Sequence, residues 1–405
     1  MKKSNSIISS IALLAGLTAC SSNDMPIQHS DQYDNITFTV ETQKVATRTN
    51  DYEKYNSDIH PEQMGVFGYQ TASQQSGQTM PLVFDNQKVT FDKTQSTWEY
   101  GTPKKWEDYP DARFFDFLAY MPYRENTENT ENPASITIQT DAAQNTETYT
   151  LSVPYNPATY TSTSTTTSSS PFVFDSKSAP IICALPEHRE VKDADGNKKS
   201  FDHTIRFKFD QTLIGYKLLF KLDPKMGAIR QFHIKKVQFI GEIPTSGTIT
   251  RNFTYNKTTQ EWTASGIQWT GIKPQTFTKD NPVIIPFKET TSSETSTESS
   301  TTSSLVVTST DFSQWGATFY TIPYAAFKPT IQVTYDVEMK TQDGKDIVTR
   351  SNVISSIILN ESNFKGFNSS TTTTATIYPI RILIQPRYLY VLTDQDAYTG
   401  HLLID

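Results

Sequence analysis

Residues 201–210 have the sequence Phe201-Asp202-His203-Thr204-Ile205-Arg206-Phe207-Lys208-Phe209-Asp210, in which odd and even positions differ in character. The odd positions are apolar except for His203, and the even positions are all polar or charged. Because successive side chains of a β-strand point to opposite faces of a sheet, this alternation predicts a strand whose odd face is buried. His203 shares that face, so we expect a hydrogen-bonded core histidine rather than a ligand.

Other segments extend the β pattern along the chain. Residues 114–120 are apolar on both faces, which favours a central strand of a sandwich. Residues 331–339 alternate again between apolar and polar side chains. Aromatic residues make up 12% of the chain, and they are enriched in strands. Since no long segment has a helical period, we predict an all-β fold class with two sandwiches.

The length of the chain favours more than one domain. Its 405 residues exceed the usual size of a single domain. Asp193-Ala194-Asp195-Gly196-Asn197 has the residue types of a turn between two units. We therefore predict an N-terminal β-sandwich domain over residues 36–197 and a C-terminal β-sandwich domain over residues 198–405.

The first twenty residues predict export. Lys2 and Lys3 precede an apolar run that fits a secretory signal and is too short to span a bilayer as a helix. The run ends in Leu17-Thr18-Ala19-Cys20, which resembles a bacterial lipobox, where cleavage precedes the cysteine and its thiol carries acyl chains such as palmitate. We expect residues 1–19 to be a lipoprotein signal peptide, Cys20 the lipidation site and residues 20–35 a tether. An ordinary signal peptide with an incidental cysteine is the alternative.

Composition and motifs argue against several function classes. The net charge of −7 disfavours a nucleic-acid partner. The nucleophile-elbow, zinc-protease, phosphate-loop and dinucleotide motifs are absent from the sequence. Asp193, Asp195 and Asn197 form a partial calcium loop with its glycine misplaced, so we expect an ordinary turn. We therefore expect no enzyme, no cofactor and no metal, with a hydrolase as a distant alternative.

Two further features have more than one interpretation. Cys183 lies in the apolar run Pro180-Ile181-Ile182-Cys183-Ala184-Leu185, so we expect a buried side chain and not a catalytic thiol. Ser/Thr tracts at 161–170, 290–304 and 369–374 predict exposed loops, which could carry glycans. The tryptophans could stack on sugars or pack in the core, and the core is the commoner place for strand aromatics. They are Trp98, Trp106, Trp262, Trp269 and Trp315.

Several short motifs occur in a recognisable order. The lipobox and the tether come first, followed by one alternating strand and Ala46-Thr47-Arg48-Thr49. After these come Met64-Gly65-Val66-Phe67-Gly68-Tyr69, Asp116-Phe117-Leu118-Ala119-Tyr120 and Phe201-Asp202-His203-Thr204-Ile205. In this order, the chain resembles the fimbrillin (type V pilin) lipoproteins of Bacteroidia. The resemblance implies two tandem transthyretin-like β-sandwich domains on a cell-surface subunit delivered to the outer membrane by its lipid.

The resemblance also implies an assembly mechanism. In that family a trypsin-like surface protease cuts after an arginine, the first strand is released, and a strand of the next subunit takes its place. Here the cut would fall between Arg48 and Thr49, and the released strand would carry Ile36, Phe38 and Val40 inward. A surface arginine without a special role is the alternative for Arg48. The candidate donor strand carries Ile380, Ile382 and Ile384, although Pro379 and Pro386 flank it and remove ladder donors.

We thus expect a structural, tip or accessory subunit of fimbriae whose partners are other subunits, the protease and possible host or bacterial adhesion ligands. The runner-up is a surface lipoprotein that binds glycans and does not polymerise. The assembly interpretation predicts that residues 36–40 pair at the edge of a sheet and cover an apolar groove.

Overall fold

The computed structural model describes a series of segments that cover most of the chain. The described residues are 35–43, 52–58, 60–71, 82–125, 133–155, 172–173, 180–226, 230–285, 287, 304–324, 328–340, 346–360, 377–385 and 388–392. They form 23 β-strands and two 3-10 turns, Trp106–Asp108 and Pro224–Met226, which confirms the all-β class. None of these residues belongs to a helix long and apolar enough to cross a membrane.

The strands follow one another with short connections over much of the chain. The first thirteen are β1 (Thr37–Gln43), β2 (Tyr52–Lys54), β3 (Gln63–Thr71), β4 (Leu82–Asp92), β5 (Thr97–Glu99), β6 (Phe114–Met121), β7 (Ser135–Asp141), β8 (Thr146–Tyr155), β9 (Phe172–Val173), β10 (Ile181–Cys183), β11 (Glu187–Glu190), β12 (Thr204–Gln211) and β13 (Ile214–Leu222). The remaining ten are β14 (Arg230–Asn256), β15 (Glu261–Ala264), β16 (Gln268–Phe277), β17 (Val283–Ile285), β18 (Leu305–Val307), β19 (Ser313–Thr321), β20 (Thr330–Lys340), β21 (Asp346–Ile358), β22 (Ile377–Gln385) and β23 (Tyr388–Leu392).

The first sheet has nine strands and closes on itself. Its order is β10-β12-β1-β5-β4-β3-β6-β11, with β2 beside β1 and a further pairing of β10 with β6. Two of the strand pairings in this ring involve only one or two residue pairs. β10 meets β6 through Ile181 and Ile182, and β1 meets β5 only where Phe38 faces Trp98.

The long strand β14 takes part in both halves of the fold. Its first part pairs with β17, β18 and β20, and its second part pairs with β8, β15 and β16. Gly241 separates the two parts with a φ of 120°, a conformation that favours glycine. A separate four-stranded sheet has the order β19-β13-β22-β23.

The buried apolar side chains form two main clusters. The first core joins the nine-stranded sheet to β8 and the second part of β14, through residues such as Leu151, Val153 and Phe253. The second core joins the four-stranded sheet to β17, β20 and the first part of β14, through residues such as Leu218, Phe239 and Ile331. Each core therefore lies between two layers of strands, as in a sandwich.

The strand predicted over residues 201–210 lies in the first core. Ile205, Phe207 and Phe209 of β12 are fully buried, as predicted, but Phe201 and His203 precede the strand and are only partly buried. β12 pairs with β1 and β10, although the predicted boundary assigns it to the C-terminal unit, 198–405. The division into domains 36–197 and 198–405 stays a prediction. The second core begins at Ile214, but Ile249, Phe253 and Ile267 belong again to the first core.

Candidate functional site around the first strand

β1 lies inside the nine-stranded sheet, so the expectation that it pairs at an edge is wrong, and its release after a cut costs more than the release of an edge strand would. On one side it runs parallel to β12, from the Thr37–Thr204 pair to the Thr42–Phe209 pair. On the other side it faces β5 only at Phe38 and β2 only from Glu41 to Gln43. Parallel pairing with a strand 167 residues away depends on tertiary packing, which an alternating pattern does not encode. The ladder is therefore strong on one side of β1 and interrupted on the other.

The inward face of β1 fills the first core. Ile36, Phe38, Val40 and Thr42 are all at most 5% exposed. The Phe38 ring lies among those of Phe84, Tyr100, Phe207 and Phe117, at centroid distances of 5.6, 5.5, 5.8 and 6.4 Å. Removal of β1 would thus expose apolar and aromatic side chains of the first core.

Hydrogen bonds hold the beginning of β1. The Ile36 N–H donates to Lys104 O at 2.8 Å, and Tyr100 Oη donates to Ile36 O at 2.7 Å. Lys104 N–H in turn donates to Tyr100 Oη at 3.2 Å. These bonds fix the entry of the chain into the sheet.

A cavity lies beside the middle of β1, where neither β5 nor β2 pairs with it. Its volume is about 490 Å³, and Thr39, Val40, Tyr55, Phe91 and Trp98 contribute to its walls. The rings of Tyr55, Phe91 and Trp98 pack together with centroid distances of 4.9 to 5.2 Å. The interrupted side of β1 therefore borders a cavity at Thr39 and Val40, although the Tyr55 N–H still donates to Val40 O at 3.3 Å.

Tyr52 connects β2 with β12 at the other end of β1. Its Oη donates to Asp210 Oδ1 at 2.5 Å, and Arg251 Nη1 donates to Asp210 Oδ2 at 2.9 Å. Burial, followed by the hydrogen bond to Asp210, raises the pKa of Tyr52, which keeps its hydroxyl protonated as a donor. Sequence reasoning missed these three residues, because nothing in the local pattern places a tyrosine on β2 near the polar face of β12.

The candidate donor strand is part of the second core. Ile380, Ile382 and Ile384 of β22 are buried, and β22 lies between β13, to which it is parallel, and β23. Pro379 stands opposite Lys217 within the parallel ladder. These residues would have to leave their own core to serve another subunit.

Other predicted site residues lie outside the described part of the chain. These are Cys20, Arg48, Thr49 and Pro386, together with most of the three Ser/Thr tracts. The lipidation, cleavage and glycosylation sites stay predictions.

Most of the polar groups that were candidates for catalysis or metal binding are buried or make turn hydrogen bonds. Cys183 is fully buried in β10, as expected, and burial raises the pKa of its thiol to about 12. Asp193 Oδ1 accepts hydrogen bonds from the N–H groups of Asp195 and Asn197, which is the geometry of a turn. His203 differs from the expectation of a hydrogen-bonded core residue, because its buried Nδ1 has no partner among the described residues. No group of three or more His, Cys, Asp or Glu side chains in the described segments could hold a metal.

Sequence reasoning also missed two histidine–carboxylate pairs. His188 Nδ1 lies 2.7 Å from Asp116 Oδ1, and His233 Nε2 lies 2.8 Å from Glu338 Oε2. The partners are distant in sequence, so spacing could not have revealed them. The Gln231 amide also lies beside the second pair, and its Nε2 donates to Glu338 Oε2 at 3.0 Å.

The chain is similar to solved structures of fimbrial and cell adhesion proteins. No family model matches the chain, and no curated protein matches it. A fimbrial protein from Bacteroides vulgatus is 17% identical, with 92% of this chain and 98% of that chain covered and a TM-score of 0.44. A candidate cell adhesion protein from Bacteroides uniformis is 14% identical, with 92% and 99% covered and a TM-score of 0.38. Identities and TM-scores this low do not by themselves assign a function.

Proposed function

We propose that this chain is a structural, tip or accessory subunit of cell-surface fimbriae, exported as a lipoprotein through Cys20. Proteolysis after Arg48 detaches β1 from the rest of the chain, and a strand of another copy then replaces it. Support for this proposal comes from the order of lipobox, tether, alternating strand and arginine at the start of the sequence. The lipid delivers the precursor to the outer membrane and is absent from the working filament.

The observation that carries the proposal is the position of β1. β1 and the residue before it supply Ile36, Phe38 and Val40 to the first core. On the side opposite β12, β1 has a single residue pair with β5 and three with β2. It is the first described strand, and Arg48 follows it by five residues in the sequence. One cut would therefore convert an internal strand into a peptide held only by noncovalent contacts.

Exchange is more favourable than simple release. Withdrawal of β1 exposes apolar side chains whose burial contributes roughly 1.5–3 kcal/mol each, and it breaks the ladder with β12. A replacement strand with apolar residues at alternate positions restores both contributions. We therefore propose displacement by the incoming strand, in which new pairs form as old ones break.

The C-terminal region supplies the replacement strand in this proposal. Ile380, Ile382 and Ile384 have the same alternate spacing as Ile36, Phe38 and Val40. The outer neighbour of β22 is β23, which pairs with β22 alone among the described strands. The subunits would join head to tail, and a head-to-tail contact that does not close gives a filament.

Treatment with a protease that cleaves after arginine tests the proposal. Purified wild-type protein should yield a cut after Arg48 and oligomers that resist mild detergent. Arg48→Ala should stay monomeric, whereas Arg230→Ala, which removes an exposed arginine at the start of β14, should assemble like the wild type. Monomers of identical mass from the wild type and Arg48→Ala would overturn the proposal.

One observation favours the alternative of a glycan-binding lipoprotein that does not polymerise. A cavity of about 480 Å³ has Trp106, Tyr109 and Phe201 on its walls, with Lys198 and Lys199 among its polar lining. Aromatic faces and cationic groups together suit an acidic sugar. Binding to acidic glycans on an array, lost in Lys198→Ala, would support this function, and an array without hits would count against it.

A further inference from the structure

Tyr52 makes a connection across the first strand. Its Cα stands opposite that of Gln43 on β1, and β1 lies between β2 and β12. The acceptor, Asp210, follows Phe209, the last β12 residue that pairs with β1. The hydrogen bond from Tyr52 Oη to Asp210 Oδ1 therefore joins the two neighbours of β1 to each other near Gln43, the last residue of β1.

The Tyr52–Asp210 hydrogen bond is supported by residues that do not belong to β1. Arg251 on β14 binds the second oxygen of Asp210, and its guanidinium also donates to Cys183 O at 2.9 Å and to Ser265 O at 3.2 Å. The Lys208 ammonium lies 5.5 Å from the centre of the Tyr52 ring. All these groups would stay in place when β1 leaves.

Few other contacts hold β2 in its position. Among the described strands it pairs with β1 alone, from Glu41–Lys54 to Gln43–Tyr52. Once β1 is gone, the side chain of Tyr52 is the contact that still joins β2 to β12. Tyr55, which follows β2, is held separately by its hydroxyl, which donates to Pro61 O at 2.5 Å.

We propose that Tyr52 keeps β2 opposite β12 after β1 is released, so that the vacated position stays a two-sided site for an extended strand of a second copy of this chain. This inference rests on the proposed function. The incoming strand would run parallel to β12 and antiparallel to β2 and β5, as β1 does. It would insert apolar side chains where Ile36, Phe38 and Val40 now lie.

One register of the incoming strand also fills the position of Thr42, the fourth inward residue after Ile36, Phe38 and Val40. Thr42 is 1% exposed, and its Oγ1 has no hydrogen-bond partner among the described residues. If Ile384 takes this position, then Ile382, Ile380 and Tyr378 occupy those of Val40, Phe38 and Ile36. An apolar side chain there replaces a buried hydroxyl without a partner, which favours the exchanged strand over β1.

Peptide binding to a cut protein tests the role of Tyr52. A full-length chain with a sequence-specific protease site in place of residues 45–49 is folded and cut. The N-terminal fragment is removed in denaturant, and the remaining chain is refolded and mixed with a labelled peptide of residues 35–43. Tyr52→Phe keeps the ring and removes the hydroxyl, and it should weaken peptide binding about 5- to 30-fold. The control is Tyr324→Phe, which removes a tyrosine–glutamate hydrogen bond of 3.1 Å elsewhere in the chain and should leave binding unchanged.

Amide hydrogen exchange gives a second measurement. In the cut protein with bound peptide, the β2 amides that pair with the peptide, among Glu53 and Lys54, should be protected in the wild type and less protected in Tyr52→Phe. The uncut Tyr52→Phe chain provides the reference for a correctly folded variant. Equal peptide affinity and equal protection in the two proteins would overturn the inference.

The outcomes separate this inference from the proposed function. If peptide binding depends on Tyr52 but the cut wild type never forms oligomers, the role of Tyr52 stands and the assembly of copies is contradicted. If Tyr52→Phe assembles as fast and as tightly as the wild type, assembly stands and the role of Tyr52 is overturned.

Discussion

Phe38 of β1 stacks on Phe207 of β12, with ring centroids 5.8 Å apart and ring planes 17° from parallel. The contact joins the strand that we propose is released to the strand that stays. Because Phe38 also touches three other aromatic rings, it is the main apolar anchor of β1. The stability of the precursor and the affinity of the released strand should depend on the same side chain.

Truncation of this anchor should destabilise the uncut protein. Phe38→Ala leaves a cavity among aromatic rings and should lower the free energy of unfolding by about 3–5 kcal/mol. Urea denaturation measures the change. Leu82→Ala is the control, since Leu82 is 47% exposed and its loss should change stability by about 0.5 kcal/mol or less. A loss below about 1 kcal/mol for Phe38→Ala would mean that β1 is not held through this ring.

Thr42→Val should have the opposite effect on the same strand. Valine keeps the shape of threonine and removes the buried hydroxyl that lacks a partner among the described residues. We expect a gain of about 1 kcal/mol in unfolding free energy, together with slower release of β1 from cut protein. The control is Thr39→Val on the outward face of β1. Destabilisation by Thr42→Val would show that the hydroxyl makes a needed hydrogen bond.

Gly65 is required by the close approach of a tyrosine. A Cβ at this position would lie 2.4 Å from Cε1 of Tyr120, whose hydroxyl donates to Asn86 Oδ1 at 2.6 Å. Because this ring is buried and held, Gly65→Ala should destabilise by about 1–3 kcal/mol or more. Gly101→Ala is the matched control, since nothing lies within 4 Å of its added Cβ. Thermal unfolding of the two variants checks the prediction, and equal melting temperatures would contradict it.

Low pH should destabilise the folded protein through His60, which follows β2. His60 is buried without a partner for either ring nitrogen among the described residues, and desolvation lowers its pKa to about 4. The unfolded chain, with a pKa of about 6.5, binds the proton first. Stability should therefore fall as the pH drops from about 6.5 to about 4, by on the order of 3 kcal/mol in total.

His60→Phe isolates this effect. Phenylalanine keeps a ring beside Tyr55, which lies 6.1 Å away, and does not titrate. Urea unfolding at pH 4.5 and pH 7 should show a smaller pH dependence in the variant. If both proteins lose the same stability in acid, other groups cause the loss.

The strands themselves were largely predictable from the sequence. The alternation at residues 205–209 correctly gave the buried face of β12, and the apolar run at residues 114–120 gave an interior strand, β6, that is buried along its whole length. Both cases depend on local side-chain periodicity, which reports how many faces of a strand are buried.

The pairing of strands was not predictable in the same way. β14 continues through Gly241, Pro244 and Gly247, which usually end a strand, because different neighbours pair with its two parts. The interior position of β1 and the Tyr52–Asp210–Arg251 contacts join segments far apart in sequence. A single sequence contains no signal for such contacts, since they arise from the tertiary fold.

N-terminal sequencing of the protein from the cell surface tests the central claim most directly. The detergent-resistant, high-mass material and the monomer are separated first, and each is sequenced. The account predicts that the high-mass material begins at Thr49 and that the uncut precursor begins at lipid-modified Cys20. High-mass material that begins at Cys20, with β1 still covalently attached, would contradict it.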